Sequence, residues 1–123
     1  RIYYFFDPIF KIFVGRFVIE KSKRKKMFKV DLSAADEELI GTGYGTRMYL
    51  TVIDDVDYLA SDTILYSGSY RIWKHVLPKY VNVWGLIEND FGLPNTVIKM
   101  DEKGKKSVKR FDYFLASSKH NKV

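Results

Sequence analysis

The informative segment is the run Leu39-Ile40-Gly41-Thr42-Gly43-Tyr44-Gly45-Thr46-Arg47-Met48. Glycines at alternate positions permit positive φ and let a ligand come close to the backbone. A helical apolar pattern begins directly after them. The first N–H groups of a helix have no backbone partners and point outward. Together with the helix dipole they form an anion site, for which a diphosphate is a natural occupant. The spacing is Gly-x-Gly-x-Gly, a poor match to the dinucleotide fingerprint, and no Gly-Lys-Ser/Thr follows, which excludes a P-loop. A ligand-free loop with a glycine helix cap fits the same residues.

The elements that must position this loop are read from periodicity. Phe10–Glu20 is rich in Phe, Ile and Val and predicts a strand buried on both faces. Lys21–Lys26 predicts a turn and Met27–Leu32 a second strand, paired with the first as a hairpin. Ser33–Leu39 reads as a loop or bulged strand end. Tyr49, Val52, Ile53, Val56, Leu59 and Ala60 line one face of an amphipathic helix. Thr63–Tyr66 is a short strand candidate. Ile72, Trp73, Val76, Leu77, Tyr80, Val83, Trp84 and Ile87 again have helical spacing, with Pro78 expected to kink or split the helix. Asn95–Met100 and Ser107–Ala116 predict a closing antiparallel hairpin, its turn Asp101–Lys106 carrying Gly104 at the tip. The expected class is a mixed α/β (α+β) fold.

Composition narrows the functional classes. The chain has 123 residues, 46% of them apolar and 16% aromatic, which fits one domain with a modest core and excludes a disordered chain. It has no cysteine, so disulfides, zinc–thiolate sites and thiol nucleophiles are excluded. No His/Asp/Glu cluster has metal-ligand spacing, so no metal is expected. Asp7, Lys11 and Arg16 interrupt the apolar stretch Arg1–Val18, making it a poor membrane span, and it lacks the layout of a secretory signal. A cytoplasmic location is expected. The net charge of +6 favours an anionic partner. The charge is concentrated in Lys21, Lys23, Arg24, Lys25, Lys26 and Lys29, and in Lys99, Lys103, Lys105, Lys106, Lys109 and Arg110. Solvated hairpin tips and phosphate-binding patches both fit these clusters.

The run from Val30-Asp31-Leu32 through Gly41-Thr42-Gly43-Tyr44-Gly45-Thr46-Arg47-Met48 resembles the core motif of the GNAT N-acetyltransferase superfamily. It is nearest to the branch of aminoglycoside and ribosomal-protein N-acetyltransferases. Phe13-Val14-Gly15-Arg16-Phe17-Val18-Ile19 resembles the family's Val-Gly strand, and Asn89-Asp90-Phe91-Gly92 stands where a Lys-x-Gly-Phe element is expected. The resemblance covers residues 10–116. It implies a single acetyltransferase-like domain over 1–123, short of the family's N-terminal elements. The implied architecture is a mixed sheet flanked by helices and closed by a C-terminal antiparallel hairpin. A splayed strand would precede the loop, and acetyl-CoA would lie beside it as cosubstrate. The backbone of Ile40, Gly41, Thr42, Gly43, Tyr44, Gly45, Thr46 and Arg47 would hold its pyrophosphate.

Acetyl transfer needs a neutral amine, a donor that polarises the carbonyl and an acid for the leaving thiolate. The resemblance assigns Asp31 to catalysis or acceptor binding. Glu38, with Asp36 and Glu37 beside it, is a candidate base, and Tyr80 a candidate acid alongside Tyr66 and Tyr70. Each also fits a bland role, as solvated carboxylate or packing residue. His75 is a weaker candidate, and Trp73 and Trp84 read as core. Three functions remain open: an N-acetyltransferase acting on a primary amine of a small molecule or protein, a non-catalytic basic binding or assembly protein with a nucleic-acid or protein partner, and a degenerate acetyltransferase fold.

Overall fold

The computed structural model describes residues 1–23, 26–35, 43–62, 67–88, 91, 94–107 and 110–118. Seven strands form one sheet: β1 Ile2–Asp7, β2 Ile12–Lys21, β3 Met27–Ala35, β4 Tyr58–Ala60, β5 Asn82–Glu88, β6 Pro94–Lys99 and β7 Tyr113–Ser117. Their order is β1-β2-β3-β4-β7-β5-β6. Every pairing is antiparallel except β3 with β4. The mixed α/β class stands.

Between β3 and β4 runs helix α1, Tyr44–Asp55, which turns Met48, Tyr49, Val52 and Ile53 into the core. Helix α2, Ser67–Arg71, continues as a π-helical turn over Ile72–Val76 and a 3-10 turn over Leu77–Lys79. Pro78 explains that sequence of turns. Its ring collides with a carbonyl four residues back and it offers no N–H, so the helix widens and then stops. The short helix α3, Glu102–Lys105, is capped by the Asp101 carboxylate, which accepts from Gly104 N–H at 2.8 Å.

An aromatic chain binds these layers. Phe17 of β2 meets Tyr49 of α1 edge-on at 4.9 Å. Tyr49 meets Trp73 of the π turn at 5.5 Å, and Trp73 stacks on Phe114 of β7 at 6.2 Å. Phe17, Trp73 and Phe114 are fully buried. Such pairs add about 0.5–1.5 kcal/mol each beyond burial. Both helical segments therefore pack on one face of the sheet.

Several expectations change, among them burial of the Phe10–Glu20 strand on both faces: Ile12, Phe13 and Arg16 of β2 are exposed. The N-terminal stretch Ile2–Asp7, read only as a poor membrane span, is an edge strand. The first helix ends at Asp55, and Leu59 and Ala60 belong to β4, where they pair with Ala116 and Leu115. Val83, Trp84 and Ile87 are not helical but lie in β5, which β7 and β6 flank as strands. The closing hairpin is not formed: β6 pairs with β5, while β7 inserts between β4 and β5. Thr63–Tyr66 lies outside the described residues.

At Gly85 of β5 an added Cβ would sit 2.5–2.7 Å from the Phe111 ring. Gly85→Ala is therefore expected to lower stability by about 1–3 kcal/mol through overpacking. Urea titration should show a lower midpoint at an unchanged slope.

Candidate functional site

β3 and β4 are parallel neighbours for only three residues, Met27–Lys29 against Tyr58–Ala60. Beyond Lys29, β3 runs on to Ala35 paired with β2 alone among the described residues. β4 instead continues toward β7, where Ser61 N–H donates to Phe114 C=O at 2.8 Å and Ser61 Oγ accepts from Phe114 N–H at 2.8 Å. The two strands thus part company toward the C-terminal end of β3. A bulge accompanies the parting: Val18 pairs with Leu32 and Ile19 with Val30, which leaves Asp31 as the extra residue. Bulges bend a strand and re-aim side chains beside functional sites. Asp31 is exposed there.

A cleft of ≈ 160 Å³ lies at this parting, lined by Lys29, Ala60, Ser61, Glu88 and Tyr113 among others. It gathers an ammonium, a carboxylate, a phenol and a hydroxyl from four strands or their ends. Sequence reading missed Lys29, Glu88 and Tyr113 as a set. The residues are far apart in the chain, and only the insertion of β7 beside β4 assembles them.

Past β3 the chain enters α1 through Gly43, which has φ 87° and ψ −2°. This left-handed conformation strains any residue with a Cβ. Among the described residues no side chain caps the helix by a hydrogen bond and no acidic residue of α1 stands in its first turn; the carboxylate beside that turn is Asp7, held by the Tyr44 phenol. Among the described residues, a Cβ added at Gly43 or Gly45 would meet nothing within 4 Å. Thr46 and the exposed Arg47 complete the first turn. Ile40, Gly41 and Thr42 lie outside the described residues.

Tyr44 turns its phenol away from the helix axis to donate to the Asp7 carboxylate. Asp7 also accepts from Ile9 N–H at 2.9 Å and Phe10 N–H at 3.1 Å. The Tyr44 hydrogen bond, chiefly, holds the Asp7 carboxyl below the usual carboxylate range, and the same bond raises the Tyr44 phenol. At the other end of α1, Tyr3 donates to Asp55 at 2.7 Å. Two phenol–carboxylate bonds thus clamp β1 along α1. The lengths match: five strand residues span about 14 Å, and twelve helical residues span about 16 Å. Between β1, the hairpin turn and α1 lies a cavity of ≈ 270 Å³ lined by Phe5, Asp7, Val14, Tyr44, Arg47 and Met48 among others.

Of the expected catalytic residues, Asp31 stands at the bulge and Glu38 lies outside the described residues, as do Asp36 and Glu37. Tyr80 is 55% exposed just before β5 begins, at the end of that strand opposite Glu88. The structure does not bring it to the parting of β3 and β4. Tyr70 is a packing residue whose hydroxyl accepts from Phe111 N–H at 3.0 Å, with Arg110 over its ring at 4.5 Å. His75 is exposed, and desolvation, then Lys74, Lys105 and Arg71, push its pKa down. Of the described basic residues of the two clusters, Lys29 lines the cleft and Arg110 lies over the Tyr70 ring, while Lys21, Lys23 and Lys26 on one side and Lys99, Lys103, Lys105 and Lys106 on the other lie at the end of the sheet away from the start of α1.

Among the described residues no group of three or more His, Asp or Glu is placed to hold a metal, and no helix is long and apolar enough to cross a membrane. Compared with family models, with curated proteins and with solved structures, the chain has no match.

The Asp7 clamp predicts a pH dependence. A carboxyl whose folded pKa is depressed contributes stability above its unfolded pKa, and the contribution is lost as pH falls through the folded value. Asp101, lowered chiefly by its bond from Gly104 N–H, titrates in the same window. The readout is therefore a difference: the melting temperature of Asp7→Asn should lie below wild type at pH 6 and converge on it in strong acid.

Proposed function

We propose that this chain binds acetyl-CoA and transfers the acetyl group to a primary amine, as the resemblance of its glycine run to the GNAT superfamily implies. The observation that carries the reading is the three-residue parallel contact of β3 and β4, which ends where the chain leads toward the glycine turn and α1. A gap between parallel strands, with an uncapped helix N-terminus at its head, suits a long thioester with a diphosphate at one end. Acetyl-CoA would supply an activated acyl carbon and a thiolate leaving group.

The residues of the chain divide the remaining work. Gly43 and Gly45 leave the backbone at the head of α1 open, so its first N–H groups can donate to phosphate oxygens. Arg47, exposed one turn in, adds a guanidinium for the same anion. At the parting of the strands, the Glu88 carboxylate can hold an ammonium acceptor and take its proton, with Asp31 a second carboxylate at the bulge of β3. Tyr113, in the same cleft, carries the hydroxyl suited to protonating a thiolate. Apart from Lys29, which lines the cleft, and Arg110, the described residues of the basic clusters stand at the far end of the sheet and have no part in this reading.

Calorimetry with acetyl-CoA tests it. Wild type should bind, and Gly43→Trp, with an unchanged circular dichroism spectrum, should not. With a panel of primary amines, Glu88→Gln should lower kcat by about 10²–10⁴-fold, as loss of a general base does, while Tyr80→Phe should leave it unchanged. A folded wild type that does not bind acetyl-CoA removes the enzymatic reading and favours a binding or assembly role.

A further inference from the structure

The outer edge of the sheet carries a surface that acetyl transfer does not use. β1 ends the strand order, so among the described residues its second edge has no strand beside it. Ile2, Tyr4 and Phe6 project from one face of it, 57%, 59% and 67% exposed. Phe13 of β2, 45% exposed, packs edge-on against Phe6 at 5.5 Å and extends the same patch. On the other face Tyr3 and Phe5 are half-buried with stacked rings. Edge strands meant for water carry lysine, proline or a bulge on the edge itself. The run Ile2–Phe6 has no charge and no proline, and the irregularity beside it places the extra residue, Val14, on β2. Charge and proline appear only at its ends, in Arg1, Asp7 and Pro8.

We infer that β1 pairs with β1 of a second copy of this chain, antiparallel about a twofold axis at Tyr4, making one sheet continuous across a homodimer. Three observations select this occupant. The strand is pinned to α1 by the Tyr3–Asp55 and Tyr44–Asp7 bonds, so its free edge is already ordered and little conformational entropy is lost on docking. The alternation of side chains is self-complementary. With Tyr4 facing Tyr4, Ile2 faces Phe6 and Tyr3 faces Phe5, so exposed rows meet exposed rows and half-buried rows meet half-buried rows. The same register sets Arg1 opposite Asp7 of the second copy at both ends, opposite charges flanking an apolar centre. The inference does not rest on the acetyltransferase reading, because β1 lies two strands away from the parting of β3 and β4.

The chain has no cysteine, which makes the register directly readable. Directly opposite residues in an antiparallel pair have Cα atoms about 4.5–5.5 Å apart, within disulfide reach. Under mild oxidation Tyr4→Cys should cross-link to itself as a covalent dimer. Ile2→Cys and Phe6→Cys should each stay uncross-linked alone and form a dimer when mixed. Sedimentation should give wild type twice the mass of one chain and Tyr4→Lys, at an exposed position with folding verified by circular dichroism, the mass of one. A monomeric wild type at about 100 μM, ten to a hundred times a micromolar Kd, overturns the inference. A dimer that persists in Tyr4→Lys, or Ile2→Cys cross-linking to itself as fast as Tyr4→Cys, assigns the contact elsewhere and overturns it too. Binding of a monomeric wild type to anionic vesicles through Ile9 and Phe10 would assign the patch to lipid and do the same.

Discussion

The continuity of the sheet rests on β4, a strand of three residues. It pairs with β3 on one side and with β7 on the other, and Ser61 adds its side-chain oxygen to the second ladder. Without β4, the hairpins β1-β2-β3 and β7-β5-β6 would be separate halves. So short a strand cannot hold them by backbone bonds alone, each of which contributes a net of about 0.5–1.5 kcal/mol. The aromatic chain from Phe17 through Tyr49 and Trp73 to Phe114 crosses above it and ties one half to the other through α1 and the π turn. The shortness of β4 is also what leaves the rest of β3 without a partner on that side among the described residues. The structural economy of the seam and the opening of the cleft are one feature seen twice.

The π turn follows from the same need. Trp73 must reach between Tyr49 and Phe114, and a helix under Pro78 has no regular hydrogen bond to offer at that point. Widening the helix resolves both demands. The Trp73 indole N–H is left without a partner among the described residues, a polar cost accepted for the packing of the ring.

At the other edge, the phenol–carboxylate clamps fix β1 in line with α1. They turn a strand that could fray into a fixed ledge of aromatic side chains. The clamp at Asp7 also places the β1–β2 turn beside the first turn of α1, so the ordering of that edge and the shaping of the helix N-terminus share a residue. The acetyltransferase reading and the dimer inference therefore concern the middle and one edge of the same sheet, with the start of α1 common to both.

The core face of α1 was legible because Tyr49, Val52 and Ile53 keep helical period, and the glycine turn was legible because only glycine sits easily at the φ that Gly43 adopts. Local chemistry of this kind is carried by neighbours in the chain. The pattern failed where tertiary neighbours bury both faces of a segment. Leu59 and Ala60 continue the period of α1 by coincidence, and Val83, Trp84 and Ile87 mimic a helix although β7 and β6 flank them as strands. Ile2–Phe6 is apolar at every position, so alternation could not reveal that it is an edge. The mixed class, the glycine turn at Gly43 and the basic clusters follow from composition and local pattern. The tertiary structure alone decided the insertion of β7, the parting of β3 from β4 and the meeting of Lys29, Glu88 and Tyr113, because strand pairing is set by long-range burial and hydrogen bonding that no local period encodes.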